Sequence, residues 1–156
     1  MEGIYFRKVT VEDAYFISSL FVNDEYEKIF AEKNTTVEEW KDRLQYYNNY
    51  ENFIICDSSS HENIGWIMYE IKDKQCKLHL IALKKEELGK NFGYQSLLEM
   101  IKRVEDIVQC IKLDVQKQNK RVVNFYKKLG FIIEGEEEQL VDNCTQWYWN
   151  MKYLLS

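Results

Sequence analysis

Four places in this sequence hold residue types that do chemistry. Asn119 stands seven residues before Tyr126 in NKRVVNFYKKLGF, and Leu129-Gly130-Phe131 follows. A tyrosine on the inner face of a helix is either packing or a hydroxyl put to use, and both readings stand open for Tyr126. Gly89 and Gly93, in EELGKNFGYQSLL, flank three residues ahead of a long helical pattern. A helix start carries unpaired N–H groups and partial positive charge, and glycine lets a ligand approach the backbone. Together these suit a phosphate or pyrophosphate, although a plain turn would read the same way. Lys77, His79, Ile81 and Leu83 alternate onto one side of a strand-like run. A histidine there is a base suited to neutral pH or a structural residue. Glu70 shares a face with Trp66 and Met68, as a base among apolar neighbours or as a solvated strand end.

Other chemistries find little support. The four cysteines, Cys56, Cys76, Cys110 and Cys144, form no C-x-x-C pair, and neither histidine lies at metal-ligand spacing from them. Free thiols in a reducing compartment are expected, with no metal. Neither a G-x-S-x-G nor a G-x-x-x-x-G-K-[ST] motif occurs. The net charge of −5 argues against a nucleic-acid partner, which a basic stripe would serve. The N-terminal MEGIYFRKVT lacks the apolar stretch of a signal peptide, and no apolar run is long enough to span a membrane. A cytoplasmic location is the expectation.

The elements that must position these residues can be read from periodicity. With 46% apolar and 30% charged residues among 156, the chain suits a single domain, 1–156, around one core. Proline is absent, so boundaries rest on Gly, Asn, Asp and Ser. GIYFRKV reads as a strand. Thr10 with Asp13 makes a capping-box spacing before a helix carrying Ala14, Ile17, Leu20 and Phe21 on one face. A short polar helix is expected around Asp24–Phe30. Thr36 with Glu39 caps the next helix, VEEWKDRLQYYNN. NFIICDS, IGWIMYEIKDK and CKLHLIALKK read as a three-strand meander. Leu97, Leu98, Ile101, Val104, Ile107 and Val108 then recur at helical spacing, and IKLDVQ returns as a strand. That strand–helix–strand order implies a parallel pair. NKRVVNFYKKLGF is the last helix, and FIIEGE and TQWYWNMKYLL close the chain as antiparallel strands, with EGEEEQLVDN as a loop between them. The expected fold is α/β, a mixed, mostly antiparallel sheet of about seven strands with four helices.

At this point the sequence resembles the GCN5-related N-acetyltransferase superfamily over nearly its whole length. The family's loop, Gln/Arg-x-x-Gly-x-Gly/Ala, falls on Leu88-Gly89-Lys90-Asn91-Phe92-Gly93, with departures at Leu88 and Asn91. Its second signature, an Asn seven residues before a Tyr with Leu-Gly-Phe after it, is matched by Asn119, Tyr126 and Leu129-Gly130-Phe131. The two ends of the chain look most like the branch that includes ribosomal-protein and polyamine acetyltransferases. The resemblance implies acetyl-CoA as co-substrate, no metal, and acetyl transfer to a small-molecule or peptide amine by direct attack in a ternary complex. It implies that Ile81, Ala82 and Leu83 offer main-chain groups to pantetheine, and that the amides of Gly89, Lys90, Asn91, Phe92, Gly93 and Tyr94, after Leu88, hold the pyrophosphate. Asn119 and Val123 would flank the pantetheine arm, and Tyr126 would be the general acid. A non-catalytic CoA-binding or interaction module on the same fold is the rival reading.

Asn91 should tolerate a left-handed backbone where the family uses glycine. Lys84, Lys85 and Lys90 should offset the polar group lost at Leu88. A lysine-type amine has a pKa near 10.4, so only roughly one in a thousand is neutral at pH 7.4 and a base is needed. His79 and Glu70 are the candidates, beside a water-relayed base. Acidic residues gather at Glu12, Asp13, Asp24, Glu25, Glu27, Glu38 and Glu39, and again at Glu134, Glu136, Glu137, Glu138 and Asp142. They are solvated faces or a field that draws in a cationic acceptor: a polyamine, an aminoglycoside or a basic peptide. The protein is expected to be a monomer or homodimer.

Overall fold

The computed structural model describes residues 3–21, 35–141 and 143–155. The helix expected around Asp24–Phe30 lies outside the described residues. Seven strands form one sheet in the order β1-β2-β3-β4-β5-β7-β6. They are β1 (Ile4–Lys8), β2 (Glu51–Asp57), β3 (Asn63–Lys72), β4 (Gln75–Leu83), β5 (Cys110–Gln116), β6 (Ile132–Val141) and β7 (Cys144–Leu154). The described residues also form four α-helices: α1 (Ala14–Leu20), α2 (Val37–Tyr46), α3 (Phe92–Val104) and α4 (Lys120–Leu129). The sheet is mostly antiparallel, and the expected parallel pair is β4 with β5. This is the mixed α/β architecture that the periodicity implies. The chain divides into two compact units, Met1–Tyr69 with Leu80–Val104 and Glu70–His79 with Glu105–Ser156.

In the first unit, α1 and α2 place Ala14, Ile17, Leu20, Trp40 and Leu44 against Ile54, Cys56, Trp66 and Met68. Phe21 stacks on Trp40 at 5.0 Å, and Trp40 meets Trp66 edge-on at 5.7 Å. Thr36 accepts a 3.1 Å hydrogen bond from the Glu39 amide, as the capping box requires. At Asp13 the expectation needs correcting. Its carboxylate is buried, accepting from the Thr10 amide at 2.8 Å and from both ends of the Arg7 guanidinium at 2.8 and 3.1 Å. A carboxylate that is itself buried and neutralised by a guanidinium adds little to a field that steers substrates. Helix α3 is also shorter than its pattern. It stops at Val104, Ile107 is 57% exposed, and Leu98 is exposed too.

In the second unit, β5 pairs with β7 along its full length, and β7 with β6. The backbone of Gln109 is held by Lys74 O and the Leu155 amide at 2.7 and 3.1 Å. These bonds fix the approach to β5, so helical spacing cannot carry on through Val108. The acidic stretch expected as a loop is strand β6 as far as Val141. The long β7 opposite it offers a paired backbone, which outweighs the poor strand propensity of glutamate. A bulge between Ile133 and Gly135 leaves Glu134 as the extra residue. Helix α4 ends on Gly130 at φ 111°, with its N–H donating to Lys127 O at 3.0 Å and the Phe131 N–H to Tyr126 O at 3.0 Å. This left-handed cap folds Phe131 back onto Tyr126, and a Cβ on Gly130 would meet the Tyr153 ring at 3.1 Å.

Candidate functional site

The first unit carries the loop read as an anion cradle. A 3₁₀ turn, Lys85–Glu87, leads through Leu88 into Gly89 at φ 83° and Asn91 at φ 71°. Asn91 therefore takes up the left-handed conformation expected of it, at the residue before α3 begins. The first helical bond runs from Gln95 N to Asn91 O at 3.1 Å. The preceding amides have no partner within the helix and point along its positive end. A Cβ on Gly89 would meet nothing within 4 Å, so glycine serves there for its backbone angle and leaves open space. Positive-φ residues, open space and free helical amides together fit a pyrophosphate. Phe92 is buried and anchors the turn, while Tyr94 is exposed and Gly93 half-buried. Lys90 reaches Glu87 at 3.2 Å, so part of the charge expected to compensate for Leu88 is already matched. Of the residues offered for main-chain contacts, Ala82 and Leu83 are buried and Ile81 is half-buried. Replacing Asn91 by Gly should leave coenzyme affinity equal or better, because the backbone is already left-handed and glycine pays no Cβ penalty. Calorimetric titration with CoA checks this; a loss of affinity would mean that the Asn91 side chain itself contacts the ligand.

The second unit holds Tyr126, only 6% exposed, with the Phe125 and Phe131 rings each 5.4 Å away. Burial pushes its phenol well above the ordinary tyrosine range. Val123, one turn earlier, is buried as well. Asn119 occupies the N-cap position of α4, yet its side chain makes no capping bond.

Strand β4 brings together two residues that the sequence offered only as alternatives. His79 Nε2 lies 3.1 Å from Glu70 Oε1. On the same strand, Lys77 Nζ donates to Asp114 Oδ2 at 2.7 Å, and Asn150 Nδ2 donates to Asp114 Oδ1 at 2.7 Å. Asn150 also donates to Glu137 Oε1 at 3.1 Å. Lys77, Asp114, Asn150 and Glu137, with Lys112, Glu134 and Gly135, line a cavity of about 320 Å³. Gly135 leaves room for Asn150, whose Oδ1 would lie 3.3 Å from any Cβ there. Burial alone would raise the Asp114 pKa, but the hydrogen bonds from Lys77 and Asn150 outweigh it. They hold this carboxyl below the usual carboxylate range, so it is a fixed negative charge. Asp114 and Asn150 belong to no motif in the sequence. The signal for Asp114 was present, since Lys112, Asp114 and Gln116 alternate with Ile111, Leu113 and Val115.

Of the acidic residues expected to form a field, Asp24, Glu25, Glu27 and Asp142 lie outside the described residues. Glu38 pairs with Lys41 at 3.2 Å, Glu136 pairs with Lys117, and Glu134 stands 3.7 Å from Lys112. All four cysteines are free thiols, three of them buried. Among the described residues, no helix is long and apolar enough to cross a membrane, and no group of three His, Cys, Asp or Glu side chains could hold a metal ion.

Against known proteins, the description of the Acetyltransferase (GNAT) family matches residues 20–131, well over half of the chain. A spermidine N-acetyltransferase from Vibrio cholerae, solved in complex with CoA and spermine, superposes with a TM-score of 0.84 at 22% identity. The match covers 97% of this chain and 95% of that one. A structure from Chromobacterium violaceum described as a probable acetyltransferase (GNAT family) superposes with a TM-score of 0.87 at 10% identity, covering 99% of this chain and 84% of that one. At such identities the likeness is one of fold. No curated protein matches the sequence.

Proposed function

This chain belongs to the acetyltransferase (GNAT) family and is an acetyl-CoA-dependent N-acetyltransferase, and we propose that its acceptor is a small cationic primary amine of the polyamine kind. The observation that carries this reading is the cavity around Asp114. Three carboxylates, Asp114, Glu134 and Glu137, face two lysines there, and Asp114 stays charged because Lys77 and Asn150 bind it. Its carboxylates outnumber its lysines, and that excess of negative charge in a concave site of this size favours an ammonium group. The spermine complex of the Vibrio cholerae structure supports the same class of acceptor.

Acetyl-CoA, when bound, supplies a thioester whose carbonyl carbon is open to attack by an amine. The amides from Gly89 to Tyr94 hold its pyrophosphate, with the positive end of α3 behind them. In the first unit, main-chain groups of Ile81, Ala82 and Leu83 offer contacts for the pantetheine arm; in the second, Asn119 and Val123 do. Glu70 accepts a hydrogen bond from His79 Nε2 and so orients the imidazole, and this pair is the base that receives the proton of the acceptor ammonium. The Tyr126 hydroxyl keeps its proton at Oη until the departing sulfur requires it. Four free thiols suit a reducing, cytoplasmic setting.

The test compares acetylation of spermidine with that of neutral and acidic amines at low and high salt. Spermidine should be preferred, and its KM should rise with salt. Asp114→Asn should raise KM for spermidine by about ten- to a hundredfold, the scale for a partly desolvated charge contact, and leave neutral amines unchanged. A preference for acidic acceptors, or equal losses for neutral and cationic amines, would refute the assignment.

A further inference from the structure

Only three residues, Lys117 to Asn119, join β5 to α4. Each is held. The Lys117 N–H donates to Trp147 O at 2.9 Å, and the Asn119 N–H to Gln116 O at 3.0 Å. The Gln118 side chain donates from Nε2 to Gln116 Oε1 at 2.9 Å, and buried Gln116 donates from its own Nε2 to the Tyr148 hydroxyl at 3.2 Å. The Lys117 ammonium is gripped most firmly. It donates to Glu136 and lies over two indole rings, 4.0 Å from the Trp149 centroid and 5.1 Å from that of Trp147. Two tryptophan faces and a carboxylate are the chemistry that recognises an organic cation, and here the cation is the protein's own.

This clamp stands two residues before Asn119. That side chain does not cap α4, so the start of the helix is not set by its own N-cap bond. The connecting loop, fastened to β7 and to Glu136 on β6, must set it instead. We infer that Lys117 is a positioning residue: its ammonium, locked between Trp147, Trp149 and Glu136, sets the place of Asn119 and of the first turn of α4 for coenzyme binding. The inference rests on the reading above that Asn119 contacts the pantetheine arm.

Three variants separate the possibilities: Lys117→Met, which keeps the stem and loses the charge, Lys117→Arg, which keeps the cation over the rings, and Asn119→Ala. KM for acetyl-CoA, kcat at saturation, and amide hydrogen exchange at residues 118–121 are measured for each. Lys117→Met should raise KM by about tenfold, the scale of a partly desolvated cation–π and ion-pair contact, with kcat within about twofold of the parent and faster exchange at 118–121. Lys117→Arg should restore most of the affinity. Glu136 is half-exposed, so Glu136→Gln should fold and show a smaller rise in KM. An unchanged KM in Lys117→Met beside a raised KM in Asn119→Ala would overturn the clamp and leave the role of Asn119 standing. Unchanged KM in both would remove that role, and the clamp with it. If Lys117→Met lowers kcat and melting temperature together with KM unmoved, Lys117 is structural only.

Discussion

Tyr126→Phe is expected to lower turnover by about 10²–10⁴-fold, the usual scale for one general acid, while fold and coenzyme affinity persist. The ring would keep its place, because the contacts with Phe125 and Phe131 are made by carbon atoms that phenylalanine retains. Only the hydroxyl, the proposed proton donor, is lost. Burial holds the Tyr126 phenol above the ordinary tyrosine range, so the donor form persists through neutral pH and beyond. The alkaline decline of kcat assigned to this group should therefore lie above about pH 10, the ordinary tyrosine value. CoA release, followed with a thiol reagent across pH, provides both measurements. Parent-like turnover in a destabilised variant would return Tyr126 to the packing role that the sequence left open.

The second large effect concerns stability. Asp13→Asn should cost about 2–3 kcal/mol, somewhat less than a fully buried ion pair, since Arg7 is 38% exposed and can turn partly to water. For a chain of this length that lowers the melting temperature by roughly 5–10 °C. Burial would by itself raise the Asp13 pKa. The hydrogen bonds from Arg7 and the Thr10 amide more than reverse this and hold the carboxyl below its usual value. A depressed carboxylate pKa stabilises the fold fully above the unfolded value near 3.9, and that stability disappears as pH falls through the lower, folded value. Asp114 is depressed too and adds to the same window. Thermal melts between pH 7 and pH 2 should thus fall away at the acid end in the parent and more gently in Asp13→Asn. Equal melting temperatures at pH 7 would mean that the Arg7 pair contributes nothing net.

Much of this protein was legible without coordinates, wherever the controlling interaction is local. Alternating apolar residues specify the strands because successive side chains must face opposite sides. Thr36 and Glu39 mark the start of α2 from three residues apart, and Gly130 marks the end of α4 because only a residue tolerant of positive φ can close that helix. Asn91 fits the same logic. Its left-handed backbone was expected from residue type at one position, and it stands at φ 71°.

What escaped the sequence depends on register and on packing at long range. Nothing in the spacing of Glu70 and His79 said that the two candidate bases would share a hydrogen bond. Their meeting follows from the tight turn at Asp73 and Lys74, where both φ angles are positive, which folds β4 back beside β3. Lys77 and Asp114 are 37 positions apart, and Asp114 and Asn150 are 36. A shift of one residue in either ladder would turn these side chains to the opposite face of the sheet. The glutamates of β6 read as a loop because their own propensity opposes a strand; pairing with β7 overrules it. The burial of Asp13 likewise depends on where β1 sets Arg7. The chain by itself determined which backbone conformations and faces were available, since those are decided within a few residues. Only the tertiary structure decided which charges meet, because strand register and burial are properties of the assembled sheet.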